Sequence, residues 1–175
     1  MYHSIKPKNF ILDVDGVFTD GKFYYTCEGK VAKIFGPEDH DALCLLKNKI
    51  YIHIVSGDQR GFAITKKRIA DDMHFPLDMV STFDRVKWIE ERFNLAETIY
   101  MGDGIFDPIV FNKVFYSIAP ANAFFKTKEY ADFVKDAKGG EGAVAEACLH
   151  VMSKFFEPYD PLNINIDNVG VWNKK

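Results

Sequence analysis

The stretch Phe10-Ile11-Leu12-Asp13-Val14-Asp15-Gly16-Val17-Phe18-Thr19 runs from consecutive apolar residues into two aspartates one residue apart, then a glycine. A short apolar run that stops at turn-forming residues is the pattern of a buried parallel strand. Asp13 therefore falls at the carboxyl end of that strand. The pattern recurs twice. Ile50-Tyr51-Ile52-His53-Ile54-Val55 stops at Ser56-Gly57-Asp58, and Thr98-Ile99-Tyr100-Met101 stops at Gly102-Asp103-Gly104.

Helical patterns lie between these runs. Asp39 or Asp41 can cap a helix carrying Ala42, Leu43, Leu45 and Leu46, and basic residues dominate a helix over 62–71. Further helices are expected from Arg85 to Phe93, from Asp107 to Asn112, and over 142–155. Met79-Val80 and Val114 to Ile118 read as strands. Alternation of this kind predicts an α/β fold, a parallel sheet flanked by helices. Phe23 to Thr26 and Val31 to Phe35, around a turn with Gly29, predict a small β-hairpin. One domain over 1–156 is expected, with a Pro-, Asn- and Asp-rich extension over 157–175.

Composition narrows the function classes. A formal charge of −3 gives no basic excess of the kind that attracts nucleic acid. No run is long enough to span a bilayer, and the first residues lack the apolar core of a signal peptide. Cys27, Cys44 and Cys148 form no CxxC pair and no zinc spacing, so reduced thiols in a cytoplasmic protein are expected. His53, inside an apolar strand, reads as a core histidine rather than a ligand.

In open α/β sheets, ligands bind beyond the carboxyl ends of the strands. Asp13, Asp15, Ser56, Asp103 and Asp107 can therefore share one crevice. Phosphate-ester hydrolysis needs a nucleophile, a proton donor for the leaving alcohol, and cationic neutralisation of the phosphoryl oxygens. A carboxylate can attack phosphorus, but it repels a phosphate dianion, and a hard cation such as Mg²⁺ offsets that repulsion. Each motif alone is a plausible turn. Their joint occurrence, each at a strand end, points to phosphoryl chemistry.

Asp13-Val14-Asp15-Gly16-Val17-Phe18-Thr19 resembles the DxDGxxT signature of the haloacid dehalogenase superfamily of phosphatases. Val55-Ser56-Gly57 is similar to that family's second motif, and Gly102-Asp103-Gly104-Ile105-Phe106-Asp107 to its fourth. The hairpin from Gly21, Ala119-Pro120-Ala121-Asn122-Ala123 and Lys138-Gly139-Gly140-Glu141-Gly142 resemble the capless branch typified by 3-deoxy-D-manno-octulosonate 8-phosphate phosphatase. The resemblance implies a Rossmann-like fold without a cap domain. It implies Asp13 as nucleophile and metal ligand, and Asp15 as general acid/base that also binds Mg²⁺ through its backbone carbonyl. Asp103 is implied as the third metal ligand, Asp107 as support of the metal site, and Ser56 with Gly57 as phosphate-binding. A homotetramer with hairpins at the subunit contacts is implied as well.

The family's third motif is a lysine beside the nucleophile. Arg85 is placed there, with Lys87 as the alternative; Arg offers a fixed fork and Lys a point charge, so an exchange of lysine for Arg85 is not neutral. Three positions that are basic in octulosonate phosphatases are not basic in this chain: Glu38, which precedes the loop residue Asp39, then Asp58 and Ala145; His40 replaces a glycine. Buried carboxylates want arginine partners. The exchanges therefore weigh against an α-keto acid, and Glu38, Asp39, His40 and Asp58 are candidates for meeting hydroxyl-, amide- or amine-bearing groups. The expected substrate is a phosphorylated sugar or sugar derivative of a surface polysaccharide such as capsule or lipopolysaccharide. The octulosonate 8-phosphate and nonulosonate 9-phosphate esters are the alternatives. The rival from another class is a non-catalytic oligomerisation module; a phosphotransferase ranks lower because no cap holds a second acceptor.

Overall fold

The computed structural model describes residues 6–163, so most of the expected extension lies outside the described residues. Strand β1 (Asn9–Asp13) is followed by a hairpin of β2 (Tyr24–Thr26) and β3 (Gly29–Ala32), then helix α1 (Glu38–Leu46). Next come β4 (Tyr51–Ser56), α2 (Phe62–Lys66) with its π-helical continuation Lys67–Asp72, β5 (Leu77–Met79) and α3 (Arg85–Glu90). The chain then forms β6 (Thr98–Met101), α4 (Pro108–Phe111), β7 (Tyr116–Ala119), α5 (Phe125–Lys128), β8 (Phe133–Val134) and α6 (Ala143–Phe155).

Six strands form one parallel sheet in the order β5-β4-β1-β6-β7-β8. β1 is central, with Asp13 beside Val55 of β4 and Leu12 beside Met101 of β6. Side chains alternate across the pleat. Phe10 and Leu12 join the core under α1 and α6, while Ile11 joins the core of Trp88, Ile89, Val110 and Phe111 under α3 and α4. Burial on both faces explains why these strands read as continuous apolar runs. No described helix is long and apolar enough to cross a membrane.

The expected pattern was incomplete at the edge. β8 has only two residues and α5 only four, too short to leave a periodic signal. The third helix stops at Glu90 rather than Phe93, and the hairpin strands are shorter than expected. His53 sits beside Tyr51, Trp88 and Phe93, with Nε2 3.0 Å from Asp78 Oδ2, as a packed histidine would.

Neither Asp39 nor Asp41 caps α1, which starts behind Pro37 with no side-chain cap. Asp39 is buried, and its Oδ1 accepts from Ala145 N at 3.0 Å in the first turn of α6. Its Oδ2 has no hydrogen-bond partner. Burial pushes the Asp39 carboxyl up to about 6, against the opposing Ala145 N–H. A carboxyl raised in the fold favours folding at low pH, and that contribution is lost as pH rises from its ordinary value toward 6. Asp39→Asn removes this titration. Its unfolding free energy relative to the parent is expected to rise by on the order of 2–3 kcal/mol between pH 4 and pH 7. Urea unfolding at both pH values measures the change, and a constant difference would contradict it.

Candidate active site

Asp13, at the tip of β1, is 8% exposed and meets two groups. Its Oδ1 accepts from Val14 N at 2.8 Å and Arg85 Nη2 at 2.9 Å, and its Oδ2 accepts from Arg85 Nη1 at 2.8 Å. The fork geometry is the strong, bidentate kind. Arg85, at the start of α3, is itself buried; Nη1 also donates to Tyr100 Oη and to Asp107 Oδ1 at 3.2 Å. Tyr100 Oη donates to Asp107 Oδ1 at 2.9 Å, and Gly104 N donates to Asp107 Oδ2 at 2.8 Å. Burial disfavours the Arg85 charge, but Asp13, Tyr100 and Asp107 hold its pKa well above the usual value. Burial raises the Asp13 carboxyl despite Arg85.

Oxygens of Asp13, Asp103 and Asp107 all lie within 4.8 Å of one another. Asp103 is pushed up to about 8, first by burial and then by the carboxylates of Asp13, Asp107 and Asp15. Such a cluster is deficient in positive charge, and its all-oxygen donors suit a hard cation. Gly16, at φ +83°, makes the crowding possible: a Cβ there would stand 1.9 Å from Asp103 Oδ2. The residues present therefore fit a divalent metal.

Asp15 lies on the hairpin side. Lys33 Nζ is 2.7 Å from its Oδ1 and donates to its Oδ2 at 3.0 Å, while Ser56 Oγ donates to Oδ2 at 3.4 Å. Burial raises the Asp15 carboxyl, and Lys33 opposes that rise. Ser56 is fully buried and accepts from Asp58 N at 3.2 Å. A cleft of about 400 Å³ opens over these groups, lined by Asp13, Asp15, Phe23, Gly57, Lys30 and Arg60 among others.

The structure brings Asp13, Asp15, Ser56, Gly57, Arg85, Asp103 and Asp107 together. It does not bring Lys87, whose side chain is 79% exposed and 3.9 Å from Glu91 on the outer face of α3. Of Arg85 and Lys87, only Arg85 reaches Asp13. Glu38, Asp39 and His40 do not line the cleft. Glu38 is exposed, Asp39 faces α6, and His40 stands beside Phe75. Asp58 does line the cleft, but Lys30 and Lys33 both pair with it, the latter at 2.8 Å, and outweigh burial to hold its carboxyl below the usual range. The acids that weighed against an anionic substrate are thus elsewhere or already neutralised.

Lys33, Lys30, Arg60 and Tyr100 were not legible as site residues. The one hint was a lysine inside the apolar run Val31-Ala32-Lys33-Ile34-Phe35. The loop after β1 is braced from far along the chain. Asn122 Nδ2 donates to Gly16 O at 2.9 Å and Asn122 Oδ1 accepts from Gly139 N at 2.7 Å. Gly139 packs so closely that a Cβ would stand 2.1 Å from Gly16 O.

A buried aspartate at the tip of the central parallel strand, a second aspartate two residues on, and the carboxylates of Asp103 and Asp107 gathered beside the first mark a phosphatase of the haloacid dehalogenase superfamily, without a cap domain. No protein-family model matches the chain. It is 32% identical over 146 residues to the 3-deoxy-D-manno-octulosonate 8-phosphate phosphatase of Haemophilus influenzae, covering 79% of each chain. The Yersinia pestis enzyme of that name superposes with a TM-score of 0.73 at 27% identity, covering 85% of this chain and 82% of that one. The Moraxella catarrhalis enzyme, in complex with magnesium, phosphate and a KDO molecule, gives a TM-score of 0.69 at 25% identity, over 84% of this chain and 86% of that one. The chain belongs to the family of the 3-deoxy-D-manno-octulosonate 8-phosphate phosphatases.

Proposed function

We propose that the chain is a Mg²⁺-dependent phosphomonoesterase acting on a phosphorylated sugar or sugar derivative in the synthesis of a bacterial surface polysaccharide. The observation that carries this reading is the convergence of Asp13, Asp103 and Asp107 oxygens within 4.8 Å, with Asp15 lining the same cleft as Asp13. Asp13, Asp103 and the backbone carbonyl of Asp15 would hold the metal, with Asp107 in support. When bound, the metal supplies charge neutralisation between these acids and the phosphoryl oxygens. Asp13 attacks phosphorus; the P–O bond to the sugar breaks, and its oxygen takes a proton from Asp15. Asp15, now a carboxylate, takes a proton from the water that cleaves the aspartyl-phosphate. Arg85 keeps Asp13 aimed, and Ser56 and Gly57 flank the phosphate position.

The octulosonate ester itself is the second reading. It gains support from Asp58 being neutralised and from Arg60, a cleft residue whose guanidinium makes no ion pair or hydrogen bond with the described residues. The exposed hairpin residues Phe23, Tyr24, Tyr25, Val31 and Ile34 favour assembly through the hairpins, and we read the chain as a cytoplasmic homotetramer. Phosphate release from p-nitrophenyl phosphate is expected with Mg²⁺ and is expected to vanish in EDTA. A panel of sugar phosphates with the octulosonate and nonulosonate esters then ranks substrates by kcat/KM. A folded protein that releases phosphate from no ester would instead support the non-catalytic module.

A further inference from the structure

Lys33 comes from the end of the hairpin, outside every motif that marks the site, yet it is buried against the carboxyl of Asp15, which lines the cleft. Its side chain is 0% exposed. A buried ammonium is costly unless its donors are satisfied and its charge is paired. Here the ammonium donates to Asp15 Oδ2 at 3.0 Å and to Thr65 Oγ1 of α2 at 2.9 Å, and it is ion-paired with Asp15 Oδ1 at 2.7 Å and with Asp58 Oδ2, after β4, at 2.8 Å. Lys30 pairs with Asp58 from the other side and lies over the Phe23 ring at 3.3 Å. Charges therefore alternate from the hairpin to the acid: Lys30, Asp58, Lys33, Asp15.

We infer that Lys33 is a positioning residue that fixes the carboxyl of Asp15 for proton transfer to the leaving oxygen, so that the hairpin is part of the reaction apparatus. The inference rests on the role of Asp15 given under Proposed function. Among the described residues, the only other side-chain partner of that carboxyl, Ser56 Oγ, is at 3.4 Å, so Lys33 supplies the short contacts that set its direction. Thr65 and Asp58 in turn stop the ammonium from following Asp15 out of place. When the P–O bond breaks and the proton passes from Asp15 to the sugar oxygen, negative charge is left on a carboxylate that Lys33 already faces. Lys33 touches neither phosphorus nor the leaving oxygen and acts through Asp15.

Leaving groups separate this role from a structural one. A sugar alkoxide is a poor leaving group and needs its proton during bond cleavage; p-nitrophenolate needs none. The first irreversible step, read by kcat/KM, is therefore sensitive to Asp15 placement only for the poor leaving group. The test compares the parent and Lys33→Met as full chains with saturating Mg²⁺, on p-nitrophenyl phosphate, phenyl phosphate and the best sugar phosphate of the panel. The sugar ester is expected to lose at least ~30-fold more kcat/KM than p-nitrophenyl phosphate, within the usual range for general acid catalysis, with phenyl phosphate between them. Equal losses on all three esters, or no loss, would overturn the inference. Should Lys33→Met not fold, Thr65→Val removes one anchor of the ammonium; a loss graded in the same order, of roughly 3–10-fold, is expected, and a uniform one counts against the role. If the parent hydrolyses none of the three esters, the phosphatase reading itself is lost; a parent that is active beside a uniformly weakened variant removes only Lys33.

Discussion

Asp13→Asn is expected to lower kcat by at least ~10³-fold on every ester, the scale of losing a covalent nucleophile. The exchange is nearly isosteric. With its amide oxygen at the Oδ1 position, Asn can still accept from Val14 N and Arg85 Nη2, while its amide nitrogen meets Arg85 Nη1 donor to donor. What it lacks is the anion that attacks phosphorus. The exchange also removes one side of the buried ion pair with Arg85, whose guanidinium keeps Asp107 as partner, so some loss of stability accompanies it. A folded but inactive protein is the expected outcome. Turnover above a tenth of the parent's would exclude Asp13 as the attacking group.

Arg85→Met is expected to give the largest loss of stability. It leaves Asp13 and Asp107 buried without the cation that both contact. Breaking a buried pair from one side costs ~3–5 kcal/mol, because the orphaned charge stays behind. For a chain of this size, that is a fall in Tm of about 6–20 °C at 2–4 °C per kcal/mol. Millimolar Mg²⁺ is expected to recover part of it, since a cation among Asp13, Asp103 and Asp107 does some of the neutralising that the guanidinium did. Arg85→Lys is expected to fall between, keeping the charge but not the fork that meets both Asp13 oxygens. Urea unfolding with Mg²⁺ and with EDTA measures all three proteins. An Arg85→Met variant as stable as the parent in EDTA would show that the guanidinium is not what neutralises the cluster.

The parts of the site carried by strand ends were legible. Asp13, Ser56 and Asp103 each follow an apolar run in a parallel sheet, and such runs end on one rim. The parts carried by side-chain direction were not. Asp39 was read as a cap of its own helix or a substrate contact because of its neighbours in sequence, yet 39, 42, 43 and 46 form the buried stripe of α1. That spacing, weighed first, would have turned Asp39 inward to α6. Lys33 and Arg60 escaped for another reason. Their place depends on how the hairpin and the turn after β4 lean on each other, and no periodicity encodes that. Asp58 shows the cost of reading a charge alone: a second acid beside the phosphate position looked unfavourable to an anion until two lysines were found on it.

The bracing of the loop after β1 by Asn122 and Gly139 has a consequence for biosynthesis. A ribosome delivers Asp13 well before the partners that shape its loop, which lie more than a hundred residues further along the chain. Because pairing so distant carries a large closure entropy, it forms late. A nascent chain that has exposed only the hairpin and β4 can hold the acids but not the shape that gathers them. Competence to handle phosphate esters should therefore switch on abruptly, once the glycine-rich turn before α6 has left the exit tunnel.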